Sequence, residues 1–325
     1  MTLARRAFIR LAAGAAALPA MPRIAFAQIY PGRPVHIVIG LGPGSAGDLI
    51  ARLIGQRLSE RLGQPFIIEN RPGAGGSLAA EAVVRASPDG YTLLMTNSAD
   101  AVNATLNEKL SFNVIRDIAP VASIARGPLV QVVHPAFPAT TIPEFIAYAK
   151  ANPGKISFGS SGIGSLGQLA GELFEAAAGV DMVHVPYRGP AAAVMGLIGG
   201  QVQVVFSVIP TAIEHVRAGT LRALAVTSAV RSEALPDLPT VGDFLPGYEA
   251  SFMAGLGAPK NTPAEIVGRL NKEINIALAD PGITRRLADL GTVPVPMTSA
   301  DFGKFRADEV EKWRKVIHAA NIKLN

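Results

Sequence analysis

Short apolar runs alternate with segments of helical period along most of this chain. Residues 35–39 (VHIVI) read as a buried strand, and Leu49, Ile50, Leu53, Ile54 and Leu58 recur at helical spacing just beyond it. A glycine turn (Gly40, Gly42, Gly44, Gly47) joins the two. A second unit follows: a strand at 66–69, a glycine turn at 71–76 and a small-residue helix at 77–86. The Ser87-Pro88-Asp89-Gly90 turn then leads to a strand at 91–96. Strands and helices alternating at this spacing predict a parallel sheet covered on both faces. Residues 97–113 are polar and read as irregular, at the strand end where open α/β sheets bind ligands.

The stretches 118–124 and 129–133 read as extended passages into a second lobe. Thr141 and Glu144 form a capping box that opens a helix ending near 152–154. The rhythm then restarts, with a strand at 156–158, a glycine turn at 159–167 and a helix at 168–178. A strand at 183–185, a helix at 191–198 and strands at 202–206 and 224–227 complete the second set. After Arg231 come proline-rich turns and an extended stretch at 251–257. Thr262-Pro263-Ala264-Glu265 reads as a capping box with proline at the first helical position, opening a helix that runs to 280–282. A last helix, from about 299 to 320, carries the single Trp313. Two similar lobes, each with a glycine turn after its first full strand, imply a cleft between them.

Length and charge change this picture in one place, the N-terminus. At 325 residues the chain is long enough for two domains. Residues 1–27 combine Arg5, Arg6 and Arg10, an apolar stretch and a small-x-small site at Ala25-Phe26-Ala27, which predicts a secretory signal peptide. Arg5-Arg6 fits twin-arginine export as well as an ordinary Sec signal. The apolar core is shorter than the ~20 residues of a membrane span. Removing this segment takes away four arginines and no acids, leaving 26 basic against 25 acidic residues, so the formal charge falls from +5 to +1. No basic tract remains to address nucleic acid. The chain has no cysteine, hence no disulfide or thiolate chemistry. A soluble, exported, periplasmic protein is expected.

The turn at 42–47 carries the first candidate chemistry. A glycine turn opening a helix offers backbone N–H groups and the positive end of the macrodipole to an anion. Gly42, Gly44 and Gly47 match G-x-G-x-x-G, and Glu69 lies 22 residues beyond Gly47, where a ribose-binding acid belongs in a dinucleotide site. Pro43 removes one N–H and Asp48 adds a carboxylate at the helix start, and both count against a pyrophosphate. A turn that merely lets strand and helix pack closely is the plain alternative. The second glycine turn, Ser160, Ser161, Gly162, Gly164 and Ser165, supplies hydroxyls and N–H groups at another helix start. One such nest on each lobe suits a dicarboxylate or other small acid. Tyr187, Arg188 and Ser207 sit at further strand ends and are candidates to line the same cleft. The alternatives are interlobe packing for Tyr187 and a solvated charge for Arg188. None of the five histidines has metal-ligand spacing, and His36 and His184, inside strands, read as hydrogen-bonded structural residues. Ser45 and Ser161 both fail the G-x-S-x-G frame. An enzyme is not expected, and no metal or cofactor is called for.

Ordered motifs span nearly the whole mature chain: YPGRPVHIVIGLGPGSAGDLIAR, LGQPFIIENRPGAGG, ASPDGYTLL, AYAKANPGKISFGSSGIGS, VDMVHVPYRG, LIGGQVQVVF and LRALAVTSAVRSEALPDLPTV. In these it resembles the periplasmic solute-binding proteins of the tripartite tricarboxylate transporter (Bug-type) family. The resemblance implies an α/β, two-lobed periplasmic-binding-protein fold, a type II-like Venus flytrap with two interlobe crossings. Lobe 1 would comprise 28–124 plus 229–325, and lobe 2 would comprise 125–228. It further implies capture of a small carboxylate ligand and its delivery to the membrane permease subunits of a tripartite tricarboxylate transporter, by a monomer. Carried over by position, the first loop is Pro43, Gly44, Ser45 and Ala46, with Asp48 organising the turn. The second is Ser160, Ser161, Gly162, Gly164 and Ser165, with Gln168 where the family commonly has histidine. Asn97, Tyr187, Arg188 and Ser207 complete the expected site. Ser207 stands where an aspartate is usual, which argues against a ligand whose amino group needs a carboxylate partner. An NAD(P)-binding oxidoreductase using Gly42, Gly44, Gly47 and Glu69 is the rival reading. A ligand sensor for a signalling partner is a third.

Overall fold

The strand β1 (Val35–Ile39) buries Val35, Ile37 and Ile39 on one face and Val38 on the other, which explains its largely apolar run, interrupted by the partly exposed His36. In the computed structural model, which describes residues 30–106 and 110–323, Ile37 and Ile39 pack on Ile50, Ile54 and Leu58 of helix α1 (Ala46–Leu62). Val38 points the other way, onto Ala79, Ala80 and Val83 of helix α2 (Ser77–Val84). β1 pairs in parallel with β2 (Phe66–Asn70) and β3 (Thr92–Asn97), with Ile37 opposite both Ile68 and Leu93. The segment expected to be an export signal, 1–27, lies outside the described residues.

Residues 97–113 are not the irregular stretch the sequence led us to expect. Ser98–Leu106 forms helix α3, and Val114–Asp117 a single further turn, α4. Here polar residues start helices: the Asp100 carboxylate accepts the Asn97 N–H at 2.8 Å, and Asn113 Oδ1 accepts those of Ile115 and Arg116.

Strand β4 (Ile118–Val133) merges the two extended stretches into one strand of 16 residues, about 53 Å at strand rise. Residues 118–128 run antiparallel to β9 (Ser251–Pro259), which also pairs with β3. Residues 129–133 pair antiparallel with β7 (Val204–Val208) and, from 130, with β8 (Arg222–Val226). Beyond β7 lie β5 (Ile156–Ser160) and then β6 (Met182–Pro186), both parallel to their neighbours. The order is therefore β2-β1-β3-β9-β4-β7-β5-β6, with β8 and the two-residue β10 (Val293–Pro294) also on β4.

The second half repeats the layering of the first. Phe158 and Phe206 face Leu169 and Phe174 of helix α6 (Leu166–Ala178), while Val205 faces Val194 and Leu197 of helix α7 (Pro190–Ile198). Helix α5 (Ile142–Ala151) precedes them, capped by the Thr141 hydroxyl as expected, and the Glu144 carboxylate accepts the N–H and hydroxyl of Thr140. The sequence reading missed helix α8 (Ile209–Arg217), which starts with a proline in its first turn and no side-chain cap. It also read the start of α10 (Pro281–Asp289) as the stop of α9 (Ala264–Leu278), although Asp280 accepts the N–H groups of Gly282 and Ile283. The expected Thr262 box does not form: its hydroxyl donates to the Pro259 carbonyl, and Pro263 occupies the cap without a side-chain bond. The last helix, α11 (Ser299–Ala319), buries Trp313 in the core that also holds Phe145, Phe158 and Phe174.

Chain crossings between the halves are tied at one residue. Fully buried Thr227, just past β8, accepts the Leu129 N–H on its hydroxyl at 2.8 Å and donates to the Ala250 carbonyl at 2.5 Å. Its own N–H donates to the Leu129 carbonyl, and its carbonyl accepts the Ala250 N–H.

Candidate functional site

The two glycine loops leave equivalent strands, β1 and β5, and enter equivalent helices, α1 and α6. Aligned at a spacing of 120 residues, Gly42-Pro43-Gly44-Ser45-Ala46-Gly47-Asp48-Leu49 matches Gly162-Ile163-Gly164-Ser165-Leu166-Gly167-Gln168-Leu169. The hydrogen bonds match as well. Ser45 N–H donates to Gly42 O at 3.3 Å, as Ser165 N–H does to Gly162 O at 3.2 Å. Each serine caps its helix, its Oγ accepting the N–H of Asp48 at 3.3 Å or of Gln168 at 3.4 Å. Each third helical residue reaches back: Asp48 Oδ2 accepts the Gly44 N–H at 2.9 Å, and Gln168 Oε1 accepts the Gly164 N–H at 2.8 Å. The first intrahelical bonds begin at Leu49 and Leu169. The amides of Ala46 and Gly47, and of Leu166 and Gly167, therefore lie outside the helical ladder at the positive end of each dipole.

Conformation requires glycine here. Gly44 and Gly164 have φ of 79° and 74°, in the left-handed region that a side chain disfavours. Each cap hydroxyl accepts from the helix and keeps its own proton to donate.

The loops differ in charge at their organising residue. Asp48 is buried, and burial opposes its ionisation. Bonds from Arg52, the Gly44 N–H and Asn70 prevail and hold its carboxyl below the usual carboxylate range. Asn70, at the end of β2, was not anticipated: its Nδ2 meets Asp48 Oδ1 at 2.9 Å and also the Leu41 carbonyl. Gln168 does the same work without charge. Neither loop places a lysine or arginine among residues 42–48 or 160–168, so the donors the loops themselves supply are amides and hydroxyls.

Around the second loop the structure brings several expected residues together. Ser160 Oγ lies 2.7 Å from His184 Nε2 and accepts the Gly162 N–H at 3.2 Å. Burial lowers His184 to about 4, which keeps it neutral near pH 7. Tyr187 N–H donates to the Ser160 carbonyl at 2.9 Å, its hydroxyl reaches Gln201, and its ring lies against Gly196. Ser161 and Arg188 are exposed. Ser207 is buried on β7, opposite Val130, and its hydroxyl donates to the Val208 carbonyl. Asn97 ends β3, where its N–H caps onto Asp100. Burial raises Asp100 to about 6, against the pull of that N–H and of Arg306. Pro43 and Gly44 are exposed, and Ser45 and Ala46 partly so. Among the described residues no hydrogen bond or ion pair joins one loop to the other.

Glu69, the acid a dinucleotide would need, is already engaged. Arg71 donates to it at 2.8 Å, His36 bonds its other oxygen, and these partners hold it below the usual range despite its burial. His36 and His184 are both hydrogen-bonded strand residues, as expected. A cavity of about 260 Å³ lies beside the crossings, between Arg126, Pro128, Val230, Glu249 and Val293, and neither glycine loop lines it.

Two α/β halves, each with a glycine loop opening a helix in the same hydrogen-bond frame, have the architecture of a bilobal solute-binding protein. The family model described as "Tripartite tricarboxylate transporter family receptor" matches residues 50–322, and the chain belongs to that family. Protein BugT of Bordetella pertussis is 36% identical over 301 residues, 92% of each chain. The structure titled R. palustris Rpa4515 with adipate has a TM-score of 0.81 and 35% identity, over 90% of this chain and 99% of that one. MatC (Rpa3494) from Rhodopseudomonas palustris with bound malate has a TM-score of 0.76 and 32% identity, over 89% and 100%. The expected fold class therefore holds, and the family consists of receptors for solutes, not enzymes. The oxidoreductase reading of Gly42, Gly44, Gly47 and Glu69 is set aside.

Proposed function

We propose that this receptor captures a small dicarboxylate between its two glycine loops and passes it to the membrane permease subunits of a tripartite tricarboxylate transporter. The observation that carries the reading is the hydrogen-bond frame of Gly42–Leu49, repeated bond for bond at Gly162–Leu169. Each loop presents two first-turn amides and a serine hydroxyl, donors suited to one carboxylate each. Ala46, Leu166 and the glycines give amides, Ser45 and Ser165 give hydroxyls, and Pro43, Ser160, Ser161 and Gly162 shape the walls. Asn97, Tyr187, Arg188 and Ser207 line the space from neighbouring strand ends, with Asp48 and Gln168 behind the loops. Adipate and malate in the related structures are both dicarboxylates, in keeping with this reading. Ser207, lacking a carboxylate, offers no partner to an ammonium group.

The lobes that close are those centred on β1 and β5, joined at Thr227 and β4, acting as a monomer in the periplasm after removal of residues 1–27. No described helix is long and apolar enough to cross a membrane. A thermal-shift screen of the mature chain against mono-, di- and tricarboxylates and amino acids tests the reading. A ligand at 100 times its Kd stabilises the folded state by about 2.7 kcal/mol, so a true ligand gives a clear rise in Tm. A flat response to every carboxylate, or a response to amino acids alone, contradicts it.

A further inference from the structure

Where β4 and β9 run between the halves, the cavity of about 260 Å³ opens beside them. Arg126, Gly127 and Pro128 of β4 form one wall, with Glu249 and Ser251 at the entry to β9. The loop 228–234 after β8 and the turn from α10 into β10 form the others. Both of these are held in place. A Cβ on Gly127 would come within 2.7 Å of the Gly291 carbonyl, so the missing side chain lets the α10–β10 turn seat directly on β4. Thr227, bonded to Leu129 and Ala250, anchors the start of the loop 228–234. The cavity therefore belongs to the folded framework, at the junction of two halves where ligand sites are common.

Its lining is carbon with most polar groups already engaged. Pro128, Ala229, Val230, Ala234, Val293 and Val295 supply the apolar surface. Val230 and Val293 are 73% and 47% exposed, which leaves apolar area for a guest to cover. The Ser228 hydroxyl donates to the Val230 carbonyl at 2.6 Å, that of Ser251 to Glu249 Oε1 at 3.1 Å, and that of Thr292 to the Leu287 carbonyl at 2.9 Å. Arg126 donates to Glu249 through Nη2, and its guanidinium lies 5.4 Å from the centre of the Phe305 ring. Its Nε is buried without a hydrogen bond and is closed to a guest. A guanidinium carries several N–H groups, so the terminal nitrogens keep donors beyond the one Glu249 takes. The charged residues of the lining, Arg126, Arg231, Glu233 and Glu249, sum to zero. An ion entering would lose hydration with no net opposite charge to meet it.

We propose that this cavity is a second binding site, for a small neutral molecule with an apolar body and a hydrogen-bond acceptor. The acceptor meets Arg126, and the body lies against Val230, Val293 and Val295. Volume sets the size of the guest. An apolar cavity of about 150 Å³ holds benzene, and pockets for drug-sized ligands begin at about 300 Å³, so this one takes a single ring with a short substituent. Neither glycine loop contributes to the site, which stands apart from whatever anion the loops bind.

The test titrates acetophenone into the mature protein carrying ¹³C-labelled valine methyl groups, with no carboxylate ligand present. We expect saturable shifts at Val230, Val293 and Val295, and none at Val38 or Val83, which lie in the core between β1 and α2. Ethylbenzene, which lacks the acceptor, should bind about tenfold more weakly. Benzoate and benzylammonium, which carry a charge, should also bind these valines more weakly than acetophenone does. Ala229→Trp, at an exposed position of the lining, should fill the cavity and abolish the shifts. Should that variant fail to fold, Val293→Trp takes its place, read at Val230 and Val295. The absence of saturable shifts at the cavity valines overturns the site, as does full binding in the filled variant. Ethylbenzene, benzoate or benzylammonium matching acetophenone there overturns the assignment of a neutral acceptor.

Discussion

Three donors converge on the Asp48 carboxylate: the Gly44 N–H, Asn70 Nδ2 and Arg52. Asp48→Ala strips the acceptor from all three inside a buried setting. We expect a loss of about 1–3 kcal/mol in urea unfolding, together with weakened ligand binding. The pH dependence follows from the sign of each shift. Asp48 is depressed, so its contribution is complete above the ordinary value of 3.8 and fades as pH falls through its lower folded value. His184 is depressed to about 4 from 6.5, so stability is also lost as pH falls through that window, where the unfolded chain binds the proton and the folded one does not. From pH 7 to 4.5 any decline of the unfolding midpoint should be smaller in His184→Gln than in the wild type, the opposite contribution of Asp100, raised by burial, being common to both. An identical decline in the two proteins removes His184 from the account. The cap bonds of Ser45 and Ser165 and the bond-for-bond match of the two loops emerge only in the structure, whereas a glycine turn at a helix start on each lobe was legible in the sequence. Asn70 and Thr227 were not, because their partners lie 22 and 98 residues away and are set by topology.

At the scale of elements, periodicity was readable where one strand residue faces each helical layer, as with Ile37 and Val38. It failed where a stop and a start share residues. Asp280-Pro281-Gly282 ends one helix and caps the next, and Val208-Ile209-Pro210 turns from strand to helix with no polar cap to mark it. Polar residues at 97–113 look like a loop unless their carboxylates are known to face backbone N–H groups. Close packing gives a further prediction. A Cβ on Gly171 of α6 would come within 2.4 Å of the Phe158 ring, which is fully buried against β7 and cannot retreat. Gly171→Ala should therefore cost about 1–3 kcal/mol, read as a lowered Tm, even though alanine favours helix. An unchanged or raised Tm would show that α6 can shift on the sheet, and with it the second loop.

On the scale of the whole molecule, a single sheet is divided into two halves by pairing on a single long strand. β4 serves β9 up to Pro128 and β7 from Leu129, and Thr227 clamps that point to the returning chain. Extended runs at 118–124 and 129–133 were visible in sequence. Their continuity was not, since Arg126, Gly127 and Pro128 carry no strand pattern and are held by β9 and β10. Thr227→Val removes the hydroxyl while keeping the shape. It should cost about 1–3 kcal/mol by leaving the Leu129 N–H without its hydroxyl partner, and free the halves to move. The central claim is that both loops grip one ligand. Calorimetric titration of malate or adipate into the wild type, Ser45→Ala and Ser165→Ala tests it most directly, with each variant also expected to lose about 1 kcal/mol of stability through its cap. The account predicts one saturable site in the wild type and weaker affinity in both variants. Full affinity retained in either variant, or no binding by the wild type, would contradict it.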